Sequence, residues 1–124
     1  MLPRDWGTGY PNAWLGITVV NQEEADRDIP KLLQVPAKVR FLSCEPLIAP
    51  LDVPRLDELN WVIVGGESGP HARPMHLDWA RSLLEQCKAA GTACFVKQLG
   101  GMQDKRADFA TFPAALQVRE FPET

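Results

Sequence analysis

Four short apolar runs, separated by segments of helical or turn character, are the feature that most constrains the fold of this chain. The runs cover residues 13–20, 38–44, 59–65 and 92–98. The first and the third are apolar nearly throughout and lack the alternation of a strand with one solvated face. Such runs are typical of strands that are covered on both faces, as in a parallel sheet. The sequence therefore predicts four parallel strands.

The first connecting segment, residues 22–35, has the apolar spacing of a helix. Asn21 is the expected N-cap, with Glu24 three residues further on as its capping-box partner. Proline lacks a backbone N–H and clashes with the preceding helical turn. We therefore expect Pro30 and Pro36 to divide this segment into a short helix and one further turn.

Residues 77–90 predict a longer helix, which follows His76 as its N-cap and ends at Gly91. The connection between the second and third strands is too rich in proline for more than a turn or two around residues 55–58. This order of elements predicts an α/β fold with a mainly parallel four-stranded sheet, helices and right-handed crossovers.

The length of 124 residues fits a single α/β domain over residues 1–124. Residues 1–12 are expected to form an N-terminal arm, and residues 102–124 a C-terminal loop and tail. Within that tail, residues 115–121 ("ALQVREF") predict either an extra edge strand or a docking tail. No apolar run approaches the roughly 20 residues of a membrane span, and the start of the chain lacks the pattern of a signal peptide. We therefore expect no membrane contact and a cytoplasmic location.

Charge and cysteine content narrow the classes of partner and cofactor. The net charge is −3 and the Lys and Arg residues are scattered, so we expect no dedicated nucleic-acid surface. The three cysteines, Cys44, Cys87 and Cys94, are odd in number and form no CxxC pair. They predict buried free thiols rather than a disulfide framework or a metal site. No metal site is predicted, and no cofactor is expected to be held by this chain alone.

Polar residues collect where the four predicted strands end. In a parallel sheet these ends lie along one edge, where α/β folds bind ligands. The combination of acids, a base and a cation there suits proton transfer or the binding of a polar ligand. The candidate catalytic residues are Glu45, Glu67, Lys97 and His71. The predicted ligand-binding residues are Asn21, Glu45, Gly65, Gly66, Glu67, Ser68, Arg73, Lys97 and Gln98.

The same residues allow a structural interpretation. Every strand must leave the core, so Glu67 and Lys97 can form an ion pair at the rim and nothing more. The run "GGESGP" matches neither a Walker loop nor a dinucleotide fingerprint, and it lacks the GxSxG arrangement of a nucleophile elbow. The starts of the four strands carry no comparable set of polar residues, which favours the functional interpretation.

Four stretches resemble a known family: "YPNAWLGITVVNQEEAD", "IPKLLQVPAKVRFLSCEPLIAPLD", "WVIVGGESGPHARPMHLDWARSLLEQCKAAG" and "FVKQLG". They are similar to the C-terminal half of a phage-associated family of unknown function, whose members look like radical-SAM-type proteins with a (β/α) barrel. The resemblance covers residues 2–101. It implies that this chain forms half of such a barrel.

The resemblance also implies what this chain does not carry. Full-length relatives have a cluster-binding cysteine motif in an N-terminal half, and no cysteine here replaces it. S-Adenosylmethionine is therefore implied only together with a separate cluster-bearing half. The run "VGGE", residues 64–67, is similar to the glycine–glycine–glutamate that contacts the methionine part of that cofactor. A half barrel has open strand edges, so we expect a homodimer or larger assembly, or pairing with the missing N-terminal half.

Two functions from different classes follow from these observations. The first is a non-catalytic, self-associating half-barrel binding module, whose polar pocket holds a small polar or nucleotide-like ligand or a partner protein. The second is an enzyme, or the enzyme half of a radical-SAM-like system, that uses the four candidate catalytic residues. A fragment without activity is a third interpretation.

Overall fold

A computed structural model describes residues 13–67, 70–73, 75–99 and 112–123. Its four strands are β1 (Trp14–Thr18), β2 (Val39–Cys44), β3 (Trp61–Gly65) and β4 (Ala93–Gln98). Its two helices are α1 (Gln22–Leu33) and α2 (Leu77–Ala90). Short 3₁₀ turns lie at Leu56–Glu58 and Ala114–Leu116. The predicted arm 1–12 and the predicted loop up to residue 111 lie outside the described residues.

The four strands form one sheet in the order β1-β2-β3-β4, and every neighbouring pair is parallel. The α/β fold with a parallel four-stranded sheet is therefore confirmed. Successive strands of a (β/α) barrel follow one another in this same order. Because all strands run the same way, their carboxyl ends meet at one edge of the sheet.

The start of α1 shows the predicted cap. The Glu24 backbone N–H donates to Asn21 Oδ1 at 2.9 Å, and the Val20 N–H donates to Glu24 Oε1, also at 2.9 Å. The first bond satisfies a donor that a helix start leaves unpaired. The second is made one residue before the N-cap, whereas a capping box would join Glu24 to the Asn21 N–H. The end of α2 also agrees with the prediction, since Gly91 adopts the left-handed conformation with φ of 75°.

The prediction that Pro30 ends the first helix is wrong. Helix α1 continues through Pro30 to Leu33. A proline in a helix removes one backbone hydrogen bond. Ile29 and Leu32, on either side of it, are 0% and 3% exposed and pack into the core. Burial of these two side chains, worth roughly 1.5–3 kcal/mol each, offsets the lost bond and carries the helix one more turn.

Both helices contribute to one hydrophobic core with alternate residues of the strands. The strand residues in this core are fully buried: Leu42, Cys44, Val62, Val64, Cys94 and Val96. The residues between them point to the opposite side of the sheet, because successive side chains of a strand alternate. We call this side the open face, and it carries Phe41, Ser43, Trp61, Ile63, Phe95 and Lys97.

The open face is apolar although, among the described residues, no helix covers it. Trp61 lies at its centre, with its ring centroid 5.8 Å from those of Trp14 and Phe41 and 6.1 Å from that of Phe95. The apolar character of the first and third runs therefore has two sources. One side of each strand packs against the helices, and the other belongs to this aromatic cluster.

The C-terminal tail, residues 112–123, runs antiparallel to β4 through a single bridge between Phe95 and Arg119. The Val96 N–H donates to the Val118 carbonyl at 2.8 Å, and the Glu120 N–H donates to the Cys94 carbonyl at 2.8 Å. The tail is thus a short edge segment. At the other edge, β1 has no strand neighbour among the described residues. Neither helix in the described part of the chain is long and apolar enough to cross a membrane.

Candidate functional site

The central contact of the site joins Glu45, which follows β2, to Lys97 in β4. Lys97 Nζ donates to Glu45 Oε1 at 3.1 Å. Strand β3 lies between β2 and β4, so the two side chains meet above it. The Lys97 side chain is 56% exposed and that of Glu45 is 25% exposed. The contact therefore sits at the carboxyl edge of the sheet, with Glu45 as its inner member.

A β-bulge positions Lys97 for this contact. Val64 of β3 pairs with Val96 of β4, but the next pair joins Gly65 to Gln98. Lys97 is thus an extra residue on its strand. Bulges bend a strand and redirect a side chain, and they are common beside functional sites. Here the bulge lies where Lys97 reaches across to Glu45.

Gly65 makes room for the Glu45 carboxylate. A Cβ built at Gly65 would come within 2.6 Å of Glu45 Oε2, so a larger residue would displace that oxygen. Glu45 Oε2 is itself buried and has no hydrogen-bond partner among the described residues. An unpaired buried carboxylate oxygen is costly, and native structures keep few of them. Among the described residues, this oxygen is the strongest single indication of a functional site.

A pocket of about 440 Å³ opens on the open face beside this pair. Its volume lies within the range of small-ligand sites. Aromatic rings form much of its wall, since the ring centroid of Phe121 lies 5.7 Å from that of Trp61 and 5.4 Å from that of Phe95. The residues that line the pocket are Ser43, Glu45, Trp61, Ile63, Phe95, Lys97, Arg119 and Phe121.

The tail builds one side of this pocket. Arg119 donates from Nε to the Val96 carbonyl at 3.0 Å and from Nη2 to the Lys97 carbonyl at 2.9 Å. Its guanidinium also lies 5.2 Å from the centroid of the Phe95 ring, within reach of a cation–π interaction. Trp61 Nε1 donates to the Glu120 carbonyl at 2.8 Å. These contacts fix the tail, and with it the positions of Arg119 and Phe121.

Glu67 and Arg73 form a second, separate ion pair. Arg73 donates to the Glu67 carboxylate from Nη2 at 2.7 Å, from Nε at 2.9 Å and from its backbone N–H at 2.8 Å. The side-chain and backbone hydrogen bonds from Arg73 lower the pKa of Glu67 to about 2. Glu67 is thus held as a carboxylate that joins the two ends of its loop.

The other predicted site residues lie at the same edge but make backbone contacts. Asn21 caps α1, as described above. Gly66 and Gln98 bind each other: Gln98 Nε2 donates to the Gly66 carbonyl at 2.6 Å, and the Gly66 N–H donates to the Gln98 carbonyl at 3.0 Å. His71 lies exposed in a turn, and Ser68 lies outside the described residues. Glu45, by contrast, contacts two other predicted site residues, Gly65 and Lys97.

The cysteines are buried free thiols, as predicted. Burial raises the pKa of the Cys44 thiol to about 12. A hydrogen bond with Cys87 and burial raise the pKa of the Cys94 thiol. Thiols with raised pKa values are poor nucleophiles. In the described part of the chain, no group of three or more His, Cys, Asp or Glu side chains could hold a metal ion.

A larger and somewhat less open cavity, of about 1090 Å³, lies at the amino end of β4 between α2 and the tail. Its lining includes Asn60, Lys88 and Glu120. The Glu120 carboxylate there already accepts a hydrogen bond from the Cys94 N–H at 3.0 Å. We favour the smaller pocket as the functional site, because it alone among the described residues has a buried polar side-chain atom without a partner.

Sequence reasoning missed six residues of the pocket wall: Ser43, Trp61, Ile63, Phe95, Arg119 and Phe121. A signal for Ser43 and Phe95 was present, since they precede Glu45 and Lys97 by two positions and so share their side of the sheet. No local pattern indicates that Arg119 and Phe121 return to this face. Their position depends on how the tail pairs with β4.

Comparison with known proteins places the chain in a family without supplying a function. No curated protein and no solved structure matches it significantly. A family model described as "Protein of unknown function (DUF5131)" matches residues 1–121. The match covers nearly the whole chain, and the chain therefore belongs to the DUF5131 family of proteins of unknown function.

Proposed function

We propose that this protein is a binding module, whose pocket on the open face holds a small polar or nucleotide-like ligand. The observation that carries the proposal is the buried Glu45 Oε2, unpartnered among the described residues, next to Lys97 at the mouth of an aromatic pocket. A buried acceptor that the described residues leave unpaired is costly, and a ligand that donates to the Glu45 carboxylate would offset that cost.

The pocket lining also indicates the character of the ligand. Two cations, Lys97 and Arg119, and one carboxylate, Glu45, line the pocket, although the whole chain carries a net charge of −3. A locally positive site in an acidic protein favours a ligand with an anionic group. The rings of Trp61 and Phe121 offer apolar area for a flat portion of that ligand.

The observed contacts fit a binding role better than catalysis by the four candidate catalytic residues. The three hydrogen bonds from Arg73 hold Glu67 in its loop, and lowering of its pKa to about 2 makes it a weak base at neutral pH. His71 lies exposed on the turn between these two residues. An enzyme half that acts with a separate, cluster-bearing radical-SAM-like half, and an association with phages, stay predictions from the resemblance.

Isothermal titration calorimetry against a panel of nucleotides, aromatic carboxylates and S-adenosylmethionine tests the proposal. At least one compound should bind the wild-type protein, and Lys97→Ala should weaken that binding about tenfold or more, since a hydrogen bond to a charged group is lost. Arg55→Ala is the matched control, because Arg55 forms an exposed ion pair with Glu58 in the connection before β3. Equal losses in both variants, or no binding by any compound, would overturn the proposal.

We also propose that a second copy of the chain covers the edge of β1 that has no strand neighbour among the described residues. Strand β1 has the sequence WLGIT, without charge or proline, and Trp14 is 42% exposed. Natural edge strands are usually protected by charged residues, prolines or a covering segment, as the tail protects β4 here. A strand pair related by a two-fold axis would close this edge in a homodimer. Light scattering on the purified chain distinguishes a dimer from a monomer.

A further inference from the structure

We infer that the pocket on the open face binds an amphiphile, whose anionic head group lies at Lys97 and whose apolar chain runs along β3 toward Trp61. This inference rests on the proposed function and names the ligand class of the same site. It depends on the order of side chains along the sheet, on the charge at one end of the pocket and on the exposed aromatic ring at the other.

Strand β3 lies beneath the pocket and places three residues on the open face. Trp61 lies at the amino end of the strand, Ile63 in the middle and Gly65 at the carboxyl end. These positions are two residues apart, so about 13 Å separates the first from the third. Ser43 of β2 and Phe95 of β4 are in register with Ile63 and flank it. A ligand that lies along β3 therefore passes over Ile63 and meets a different group at each end.

The carboxyl end of the pocket carries its positive charge. Among the described residues, Lys97 Nζ donates to Glu45 Oε1 at 3.1 Å, and the Lys97 side chain is 56% exposed. An ammonium has three donors, so it can also bind an anionic oxygen on its solvent side. The guanidinium of Arg119, which donates to the Lys97 carbonyl at 2.9 Å, adds a second positive charge. Two cations and one carboxylate leave this end positive, which matches an anionic head group.

Glu45 positions Lys97 and can accept one hydrogen bond from the head group. Its Oε2 is buried against Gly65, so Oε1 is the oxygen that a ligand can reach. Oε1 accepts from Lys97, and a carboxylate oxygen has two acceptor positions. A hydroxyl group beside the anionic oxygen of the ligand can therefore donate to Oε1 while that oxygen accepts from Nζ. A 2-hydroxy acid carries both groups.

The amino end of the pocket is aromatic. Phe121 is 67% exposed, and its ring centroid lies 5.7 Å from that of Trp61 and 5.4 Å from that of Phe95. Among the described residues it is the most exposed large apolar side chain. An alkyl chain that covers this ring and Ile63 removes their apolar area from water. An inorganic anion would leave that area uncovered, and a neutral hydrocarbon would leave Lys97 without an anionic partner.

The test measures affinity against chain length by calorimetry on the full chain. The probes are the 2-hydroxy acids from 2-hydroxybutanoate to 2-hydroxydodecanoate, each below the concentration at which it forms micelles. Each added methylene should tighten binding about fourfold, the usual effect of burying one such group. The gain should stop once the chain reaches Trp61 and Phe121, about 13 Å from the head group. The 1,2-alkanediols of equal length keep the 2-hydroxyl group but lack the charge, and they should bind about tenfold or more weakly.

Two variants separate the head group from the chain. Lys97→Ala should weaken binding by the same factor at every chain length, because it acts on the head group. Phe121→Ala should weaken binding of the longer acids and leave the shortest unchanged. Trp14→Ala is the matched control, because Trp14 is also an exposed ring in contact with Trp61 but is absent from the pocket lining. Circular dichroism checks that each variant is folded.

An affinity that does not rise with chain length, or equal binding of acids and diols, would overturn the inference. So would a loss in Phe121→Ala that is the same at every length. Failure of every acid to bind overturns it as well, including the case in which light scattering shows that Phe121 lies between two copies of the chain because Phe121→Ala separates them. The proposed function is tested separately: it stands if a compound of the calorimetry panel binds with the expected sensitivity to Lys97→Ala, and falls if none does.

Discussion

The Glu45 carboxylate lies over Gly65, so that a Cβ at position 65 would approach Glu45 Oε2 to within 2.6 Å. This contact ties the exit of β2 to the last residue of β3. It also means that Gly65 is required for the position of a charged side chain, and not for an unusual backbone conformation.

Gly65→Ala should weaken ligand binding while leaving stability almost unchanged. The new methyl group meets the far end of a flexible side chain, so Glu45 moves aside at little cost. Its hydrogen bond to the ligand is then lost, and the affinity should fall about tenfold or more. Calorimetry and urea denaturation measure the two effects.

Gly91→Ala is the matched control for that variant. Nothing lies within 4 Å of a Cβ built at Gly91, but φ there is 75°. An L-residue in the left-handed region costs about 1 kcal/mol, so this variant should lose stability and keep its ligand affinity. If Gly65→Ala loses stability and keeps its affinity too, the carboxylate has no role in binding.

Asn21→Ala should destabilise the protein by about 1 kcal/mol, the usual cost of losing an N-cap side chain. The cause is the loss of the 2.9 Å bond from the Glu24 N–H. Because Asn21 is absent from the pocket lining, ligand affinity should be unchanged. If Asn21→Ala lowers the ligand affinity but not the free energy of unfolding, Asn21 is a ligand-binding residue and this prediction is wrong.

Glu67 should titrate near pH 2, because hydrogen bonds from Arg73 lower its pKa from 4.5 in the folded protein. A lowered folded-state pKa contributes stability above pH 4.5, and that contribution is lost as the pH falls from 4.5 to 2. Carbon-13 NMR of the side-chain carboxyl measures the value. Arg73→Ala should raise it, whereas Arg81→Ala, which removes the partner of Asp78, should leave it unchanged. A Glu67 carboxyl that titrates near 4.5 in the wild type would contradict this contact.

Thr18→Lys should convert a dimer into a monomer if β1 is the contact between copies. Thr18 is exposed at the end of β1, and a lysine on an edge strand opposes pairing with a second edge. Because Thr18 is exposed, the substitution should change the thermal stability of the single subunit little. Light scattering measures the mass of the assembly. Arg27→Ala, on the exposed side of α1, is the control and should leave that mass unchanged. A dimer that persists in Thr18→Lys would place the contact elsewhere.

The four strands and α2 could be predicted from sequence, because each is a compact apolar run whose period and end signals agree. The predicted break at Pro30 was wrong, because it considered only the local preference of proline. Burial of Ile29 and Leu32 outweighs that preference and extends the helix to Leu33. The contact between Glu45 and Lys97 could be placed only at the level of the sheet edge. Its detail depends on a bulge, which the single sequence does not reveal.

The contacts of the C-terminal tail could be predicted from sequence even less well. Residues 115–121 were open to two interpretations, and the structure combines them: a single bridge to β4 and packing of Phe121 on the aromatic cluster. The contacts of Arg119 and Phe121 are long-range in sequence. No helical or strand period predicts them, and they supply one wall of the proposed site.

The most direct test of the central claim, that the pocket on the open face binds a small ligand, is methyl NMR of the isoleucine δ1 groups during titration with each compound of the calorimetry panel. The chain has four isoleucines, of which Ile63 lines the pocket and Ile29, in α1, lies fully buried in the core between the helices and the sheet. The account predicts that the Ile63 methyl shifts in a saturable way while that of Ile29 stays in place. A saturable shift confined to Ile29, or spectra that every compound of the panel leaves unchanged, would contradict it.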